Sequence, residues 1–279
     1  MPLQSAEITL SLNQQQEGRI KQQKVTDPTI IENDNVRTFS LQMNTTAKLN
    51  NHLLTGGMEF SRDYVRSISR TFDDQITRQL PRGRFPDKAG YLSSGIFLQD
   101  EVPVGDKTYL TSGLRYAWFR ANFKDSNPQI GNLNTTFSAL TGSIAFLYKI
   151  RPGLQLSMVY ANGFRAPNLS DLAKLGESKG NTYEVPNPNL NPEKINSFEL
   201  AAHWETDIIE IDAGVYYSRL INLLTRTDAI YQGQTQIIID DQIYKIKSRS
   251  NGGTGFITGS EFRFNLAFSQ DLFLGGNAA

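Results

Sequence analysis

The chain has 279 residues, and its 28 Lys and Arg balance 28 Asp and Glu, so there is no general electrostatic case for nucleic acid or an acidic surface as partner. No apolar run approaches a transmembrane helix, yet a mean hydropathy of -0.39 still suits a membrane barrel, which hides its apolar residues at alternate positions. With no cysteine there is neither a disulfide nor a thiolate metal site.

Alternation of apolar and polar residues is the dominant pattern, and side chains on a strand face opposite sides with period two. It begins at 5–13 and continues at 36–47, where Phe39, Leu41 and Met43 oppose Thr38, Ser40, Gln42 and Asn44. Segments 52–64 and 91–102 follow, then 107–122, with Leu110, Leu114, Tyr116 and Trp118 against Thr111, Gly113 and Arg115. After 137–150 and 154–164 the split returns in 197–205, with Phe198, Leu200 and Trp204 against Glu199, His203 and Glu205. Segment 208–220 precedes 256–268, whose even positions include Phe256, Phe262, Phe264, Leu266 and Phe268 and whose odd positions include Gly259, Glu261, Arg263 and Asn265. A partial strand at 272–279 completes roughly eleven, each about 9–15 residues, a length suited to a tilted membrane strand.

The connections alternate between short and long. Short ones lie at Leu49-Asn50-Asn51, Pro103-Val104-Gly105-Asp106, Arg151-Pro152-Gly153, Glu205-Thr206-Asp207 and Ser269-Gln270-Asp271; long ones lie near 17–35, 65–90, 123–136, 165–196 and 221–254. Membrane barrels have short periplasmic turns and long external loops, so strand 5–13 is expected to run outward. Lys174 and Lys179 are then expected to be reachable from outside the cell, with position 152 shielded. Tyr64, Tyr91, Trp118, Tyr160, Trp204 and Tyr216 fall near strand ends and suit an interfacial girdle. His52 and His203 lie beside short turns, where a solvated or lumen-facing position outweighs metal binding, since neither has a second histidine at ligand spacing. Arg115, His203, Glu261 and Arg263 are the candidates for a polar lumen; no metal ligand set and no cofactor is expected.

Two boxes stand out: Gly163-Phe164-Arg165-Ala166-Pro167-Asn168 and Asn187-Pro188-Asn189-Leu190-Asn191-Pro192-Glu193. They resemble the paired FRAP and NPNL boxes of TonB-dependent outer-membrane receptors, best known in the haem and haemoglobin branch. Gly95-Ile96-Phe97-Leu98-Gln99-Asp100-Glu101, Gly113-Leu114-Arg115-Tyr116 and Thr258-Gly259-Ser260-Glu261-Phe262 are similar to the family as well. The resemblance implies an all-β fold: a partial transmembrane antiparallel β-barrel, about half of a 22-stranded one, open and curved in this piece. It also implies outer-membrane location, contact with outer-membrane lipid, an external ligand, and energy from a TonB complex coupled through a plug domain.

Met1-Pro2-Leu3-Gln4 carries no secretory signal, and Gly275-Gly276-Asn277-Ala278-Ala279 stops inside a rising strand. The expectation is a barrel fragment over 1–279, with the plug, the early strands and the final strands elsewhere. Loop residues Arg165, Asn168, Tyr183, Glu184 and Asn187 are the ligand-binding candidates, while the prolines and asparagines of the boxes also suit plain turn-setting. The haem branch places a histidine between its boxes, and 168–186 has none, so a ferric siderophore ranks first as ligand and haem second. Other readings are a soluble carbohydrate-binding sandwich and an outer-membrane hydrolase. No elbow, HExxH, P-loop or dinucleotide motif supports an enzyme, and Asp240-Asp241 reads as solvated loop charge.

Overall fold

In the computed structural model, which describes residues 2–22, 25–73, 76–80, 82–125, 130–239, 241–269 and 272–279, the alternating segments pair into one long antiparallel sheet. The strands in chain order are β1 (Leu3–Lys21), β2 (Thr29–Leu49), β3 (His52–Asp73), β4 (Ile76–Leu80), β5 (Ala89–Val104), β6 (Thr108–Lys124), β7 (Asn132–Arg151) and β8 (Leu154–Arg165). A short helix α1 (Leu169–Ala173) follows, then β9 (Gly176–Ser178), β10 (Thr182–Val185), β11 (Glu193–Glu205) and β12 (Ile209–Ile221). Last come β13 (Leu224–Asp228), β14 (Gln236–Ile239), β15 (Gln242–Asn251), β16 (Thr254–Ala267) and β17 (Phe273–Ala278). The main path runs β1-β2-β3-β5-β6-β7-β8-β11-β12-β16-β17, with β4 on the flank of β3. Each of the roughly eleven expected strands is therefore on this path, and among the described residues β1 and β17 do not pair with each other. The Gln270 and Asp271 part of the last short turn, and Asp240, lie outside the described residues.

Register carries parity across the whole sheet. Following partners from Glu261 through Gly214, Ala201, Ser157, Leu147 and Tyr109 keeps to one face. Following Phe262 through Ala213, Ala202, Leu156 and Tyr148 keeps to the other. The second face carries Leu10, Met58, Leu114, Leu140, Met158, Leu200 and Val215, all exposed, with Leu140 at 66%. An apolar surface this continuous marks lipid contact rather than water contact, and among the described residues no second layer covers it. Phe262 is 44% exposed, so the sandwich reading, which needs it between sheets, is overturned.

The short turns share one rim. Asn50, Gly105 and Gly153 take left-handed backbone there, at φ 53°, 74° and 75°. At Gly153 an added Cβ would lie 2.1 Å from the Glu205 carbonyl oxygen, while its own carbonyl accepts from Glu205 N at 2.6 Å.

On the opposite rim the strands run much farther than hydropathy suggests. Most of 17–35, much of 65–90 and the ends of 123–136 are strand, not loop. Beyond the lipid band the ladder no longer needs apolar side chains, and polar cross-strand partners sustain it, as in Lys21 with Glu32 at 3.2 Å and Ser67, which donates to Asp34 at 2.5 Å. The wall is also uneven in height: β3 has 22 residues, about 70 Å at strand rise, whereas β12 has 13, about 43 Å. Above the low side, the connections 166–192 and 222–253 fold into a separate sheet, β13-β15-β10-β9 with β14 on β15.

Candidate functional site

Inside the tall wall, small side chains leave a trough. Ala89 and Ala121 are fully buried, and with Val65, Phe123 and Phe137 they receive Ala166, Leu169, Leu172, Ala173 and Leu190 from the connection after β8. Leu172 is fully buried, an apolar contribution of about 1.5–3 kcal/mol. The segment thus crosses from the low wall and lies against the polar face of the tall one. Arg82 fixes it there: its Nη2 donates to the Ala173 carbonyl at 2.7 Å and the Arg84 carbonyl at 3.0 Å, while its Nη1 pairs with the buried Asp125 carboxylate. Tyr91 adds a hydroxyl donated to the Pro167 carbonyl at 3.2 Å.

The sequence boxes supply the fittings. Asn168 caps α1, accepting from Asp171 N at 3.0 Å while Asp171 Oδ2 accepts from Asn168 N at 3.2 Å, a reciprocal capping box. Arg165 donates to Asp171 at 2.9 Å and also pairs with Glu193 of the second box. Glu193 accepts in turn from Leu224 N at 2.7 Å. Asn187 donates to the Arg249 carbonyl at 2.8 Å and its side chain turns the chain by accepting from Asn189 N. Asn191 N donates to Asn251 Oδ1 at 2.7 Å, tying the box to β15.

Tyr183 and Glu184 project to opposite sides of β10. Tyr183 is half-buried, with its ring 6.3 Å from that of Tyr231, and burial together with Tyr231 pushes its phenol up. Glu184 is buried between Lys174 at 2.8 Å and Arg226 at 2.7 Å. Burial opposes its charge, but hydrogen bonds from Lys174 and Ser178 and the two cations outweigh that and hold it below the usual carboxylate range. Burial and the nearby Arg84 and Arg226 push Lys174 down despite Glu184. The two shifts fit one arrangement, in which a single carboxylate serves more than one cation. Lys174 is consequently buried, which corrects its expected accessibility, whereas Lys179 is exposed.

The lumen candidates share the polar face. Arg115 pairs with Glu59 at 2.7 Å, and Glu261 is exposed opposite Gly214. His203 Nδ1 lies 2.6 Å from Asp212 Oδ1, and Arg263 binds Asp212 at 2.7 Å and Glu210 at 3.0 Å. His52 is different: it shares parity with Met58, faces the apolar side and bonds Asp100 at 2.8 Å, so it cannot be a lumen contact. Of the girdle candidates, Tyr64, Trp118, Tyr160 and Trp204 share the apolar parity, but Tyr91 and Tyr216 point inward. Tyr216 packs over Gly259, where a Cβ would meet its hydroxyl at 2.4 Å.

Sequence reasoning missed Arg82, Asp125, Arg226 and Tyr231, whose partners lie far along the chain and leave no local signal. Asp212 was within reach, because the turn at 206–208 sets it directly across from His203.

A curved antiparallel wall, apolar outside and polar inside, with short turns on one rim and folded connections on the other, is the wall of an outer-membrane β-barrel. The chain belongs to the TonB-dependent receptor family: the family model described as TonB dependent receptor-like, beta-barrel matches residues 6–279. Solved structures with the same fold include the copper transporter OprC, at TM-score 0.75 and 12% identity over 99% of this chain and 43% of that one. The siderophore receptor PirA from Acinetobacter baumannii has TM-score 0.68 and 15% identity over 98% and 41%. The Serratia marcescens hemophore receptor HasR, solved with its hemophore HasA and heme, has TM-score 0.66 and 14% identity over 94% and 47%. The chain spans less than half the length of each of these structures.

Proposed function

We propose that this chain forms part of the wall of an outer-membrane receptor that takes up a scarce nutrient, with energy from the TonB complex coupled through a plug domain carried elsewhere in the receptor. The role is transport and not catalysis. The observation that carries the reading is the family match along nearly the whole chain. A ferric siderophore is the ligand class in first place. Haem stands second: the hemophore receptor HasR is among the structures of like fold, but 168–186, which holds α1, β9 and β10, contains no histidine.

Within the site, Tyr183 on the half-exposed side of β10 is the contact candidate, and Arg165, Asn168, Glu184 and Asn187 act by holding its platform in place. The deciding experiment is growth of a strain dependent on the complete receptor, supplied in turn with ferric siderophores or haem as sole iron source. Receptor-dependent growth on siderophores alone supports the first ligand class. Growth on haem alone replaces it with the second, and growth independent of the receptor on every source overturns the uptake reading.

A further inference from the structure

Near the short-turn rim, three neighbouring strands bring an imidazole and several carboxylates onto the inward face. His203 of β11 lies directly opposite Asp212 of β12, and Glu205 lies directly opposite Glu210. Like charges directly opposed on a sheet destabilise it unless a cation intervenes. Arg263 of β16 is the cation present, donating to the single oxygen Asp212 Oδ2 from Nε at 2.9 Å and from Nη2 at 2.7 Å, with Nη2 also 3.0 Å from Glu210. His203 Nε2 is 3.7 Å from Glu205. Glu210 and Asp212 therefore share one permanent cation, while Glu205 faces the imidazole.

One ligand atom each from His203, Glu210 and Asp212 can be chosen so that all lie within 4.8 Å of one another. Ligands about 2.0–2.2 Å from a common ion are at most about 4.4 Å apart, so small side-chain rotations close the set. One nitrogen and two oxygens, with no thiolate, suit a divalent first-row transition metal. We propose that His203, Glu210 and Asp212 form a divalent transition-metal site on the lumen wall, with Arg263 as the competing cation that occupies the carboxylates when the ion is absent. Three protein ligands leave coordination positions open to water or to a second carrier group, so the ion is exchangeable. Binding releases the guanidinium from Asp212 and Glu210 and breaks the hydrogen bond between His203 and Asp212.

The inference stands apart from the uptake reading, because its readout is metal affinity and not growth. The test is calorimetric titration of Zn2+ into the complete receptor purified in detergent, comparing wild type with His203→Gln, Asp212→Asn and Arg263→Gln, each checked for a folded barrel by heat-modifiable migration. We expect one site whose affinity falls at least about 10-fold in H203Q and D212N, as loss of a supporting interaction at a metal typically costs at least that. In R263Q the affinity should rise, because the competitor is gone. This opposite sign separates coordination from simple loss of fold. Equal isotherms for wild type and H203Q, or an R263Q that weakens binding as H203Q does, would overturn the site.

Discussion

Lys174 Nζ lies 2.8 Å from Glu184 Oε1, both side chains almost fully buried, and Arg226 reaches the same oxygen at 2.7 Å. The pair joins the end of the segment that lies along the inner face of β5, β6 and β7 to the small sheet above it. Amine labelling of intact cells should therefore modify Lys179 and spare Lys174. In Glu184→Gln the two cations lose their common partner, and breaking a buried pair in this way costs about 3–5 kcal/mol. Lys174 should then become labelled and the 166–192 connection open to protease; peptide mapping of labelled cells reads both.

The same carboxylate gives the small sheet a pH dependence. Glu184 is held below its ordinary value, so its contribution is complete above the ordinary carboxylate range and is lost as pH falls through the lowered folded value. Protease sensitivity of 166–192 should rise in acid in the wild type. In E184Q it should be high and flat across the same range, and a parallel acid rise there would assign the effect to another group.

Leu172 is the apolar anchor of the crossing segment. Leu172→Ala should cost about 2–5 kcal/mol, since the trough lined by Ala89 and Ala121 is part of a rigid wall and cannot collapse onto the space. The loss is local to the connection: amide hydrogen exchange should quicken at 166–175 while β5 and β6 keep wild-type protection.

Parity on β11 can be tested with adjacent residues. Leu200→Arg places a charge on the lipid face and should cost about 2–4 kcal/mol near the bilayer midplane, lowering the assembled fraction. Glu199→Arg, one residue away on the polar face, should assemble normally. Equal assembly of both variants on semi-native gels would show that the two faces were assigned wrongly.

Tyr183→Ala in the complete receptor should weaken ligand binding with barrel assembly unchanged, because the side chain lies off the wall ladder. Affinity equal to wild type would leave Tyr183 as a packing partner of Tyr231 alone.

The sheet was legible in the sequence because lipid imposes a period on one face. Phe262 beside Arg263, and Leu114 beside Arg115, can be sorted by position alone, and each short turn then fixes the next register. Where the lipid ends, so does that signal. The upper parts of β2 and β3 contain stretches such as Glu32-Asn33-Asp34-Asn35 and Arg66-Ser67-Ile68-Ser69-Arg70, which read as loop yet keep pairing through backbone bonds. The boxes were visible as motifs, but their work was not: Arg165 meets Asp171 and Glu193, and Arg82 meets a carbonyl 91 residues away, contacts that exist only once the segment has folded back onto the inner face of the wall. α1, too short for a helical period, was absent from the strand reading, although Asn168 and Asp171 carry its capping spacing.

The parallel pairing of β10 with β15 has one more consequence. Thr182 through Val185 run beside Lys245 through Ser248, and Asn251 is bonded to Asn191, so connections leaving two different hairpins are stitched edge to edge. Neither can swing alone without tearing that seam. Their freedom reduces to a single shared motion, pivoting where the pieces leave the barrel near Arg165, Glu193, Ile221 and Thr254. The two connections thus behave as one flap, and a clamp on either immobilises both.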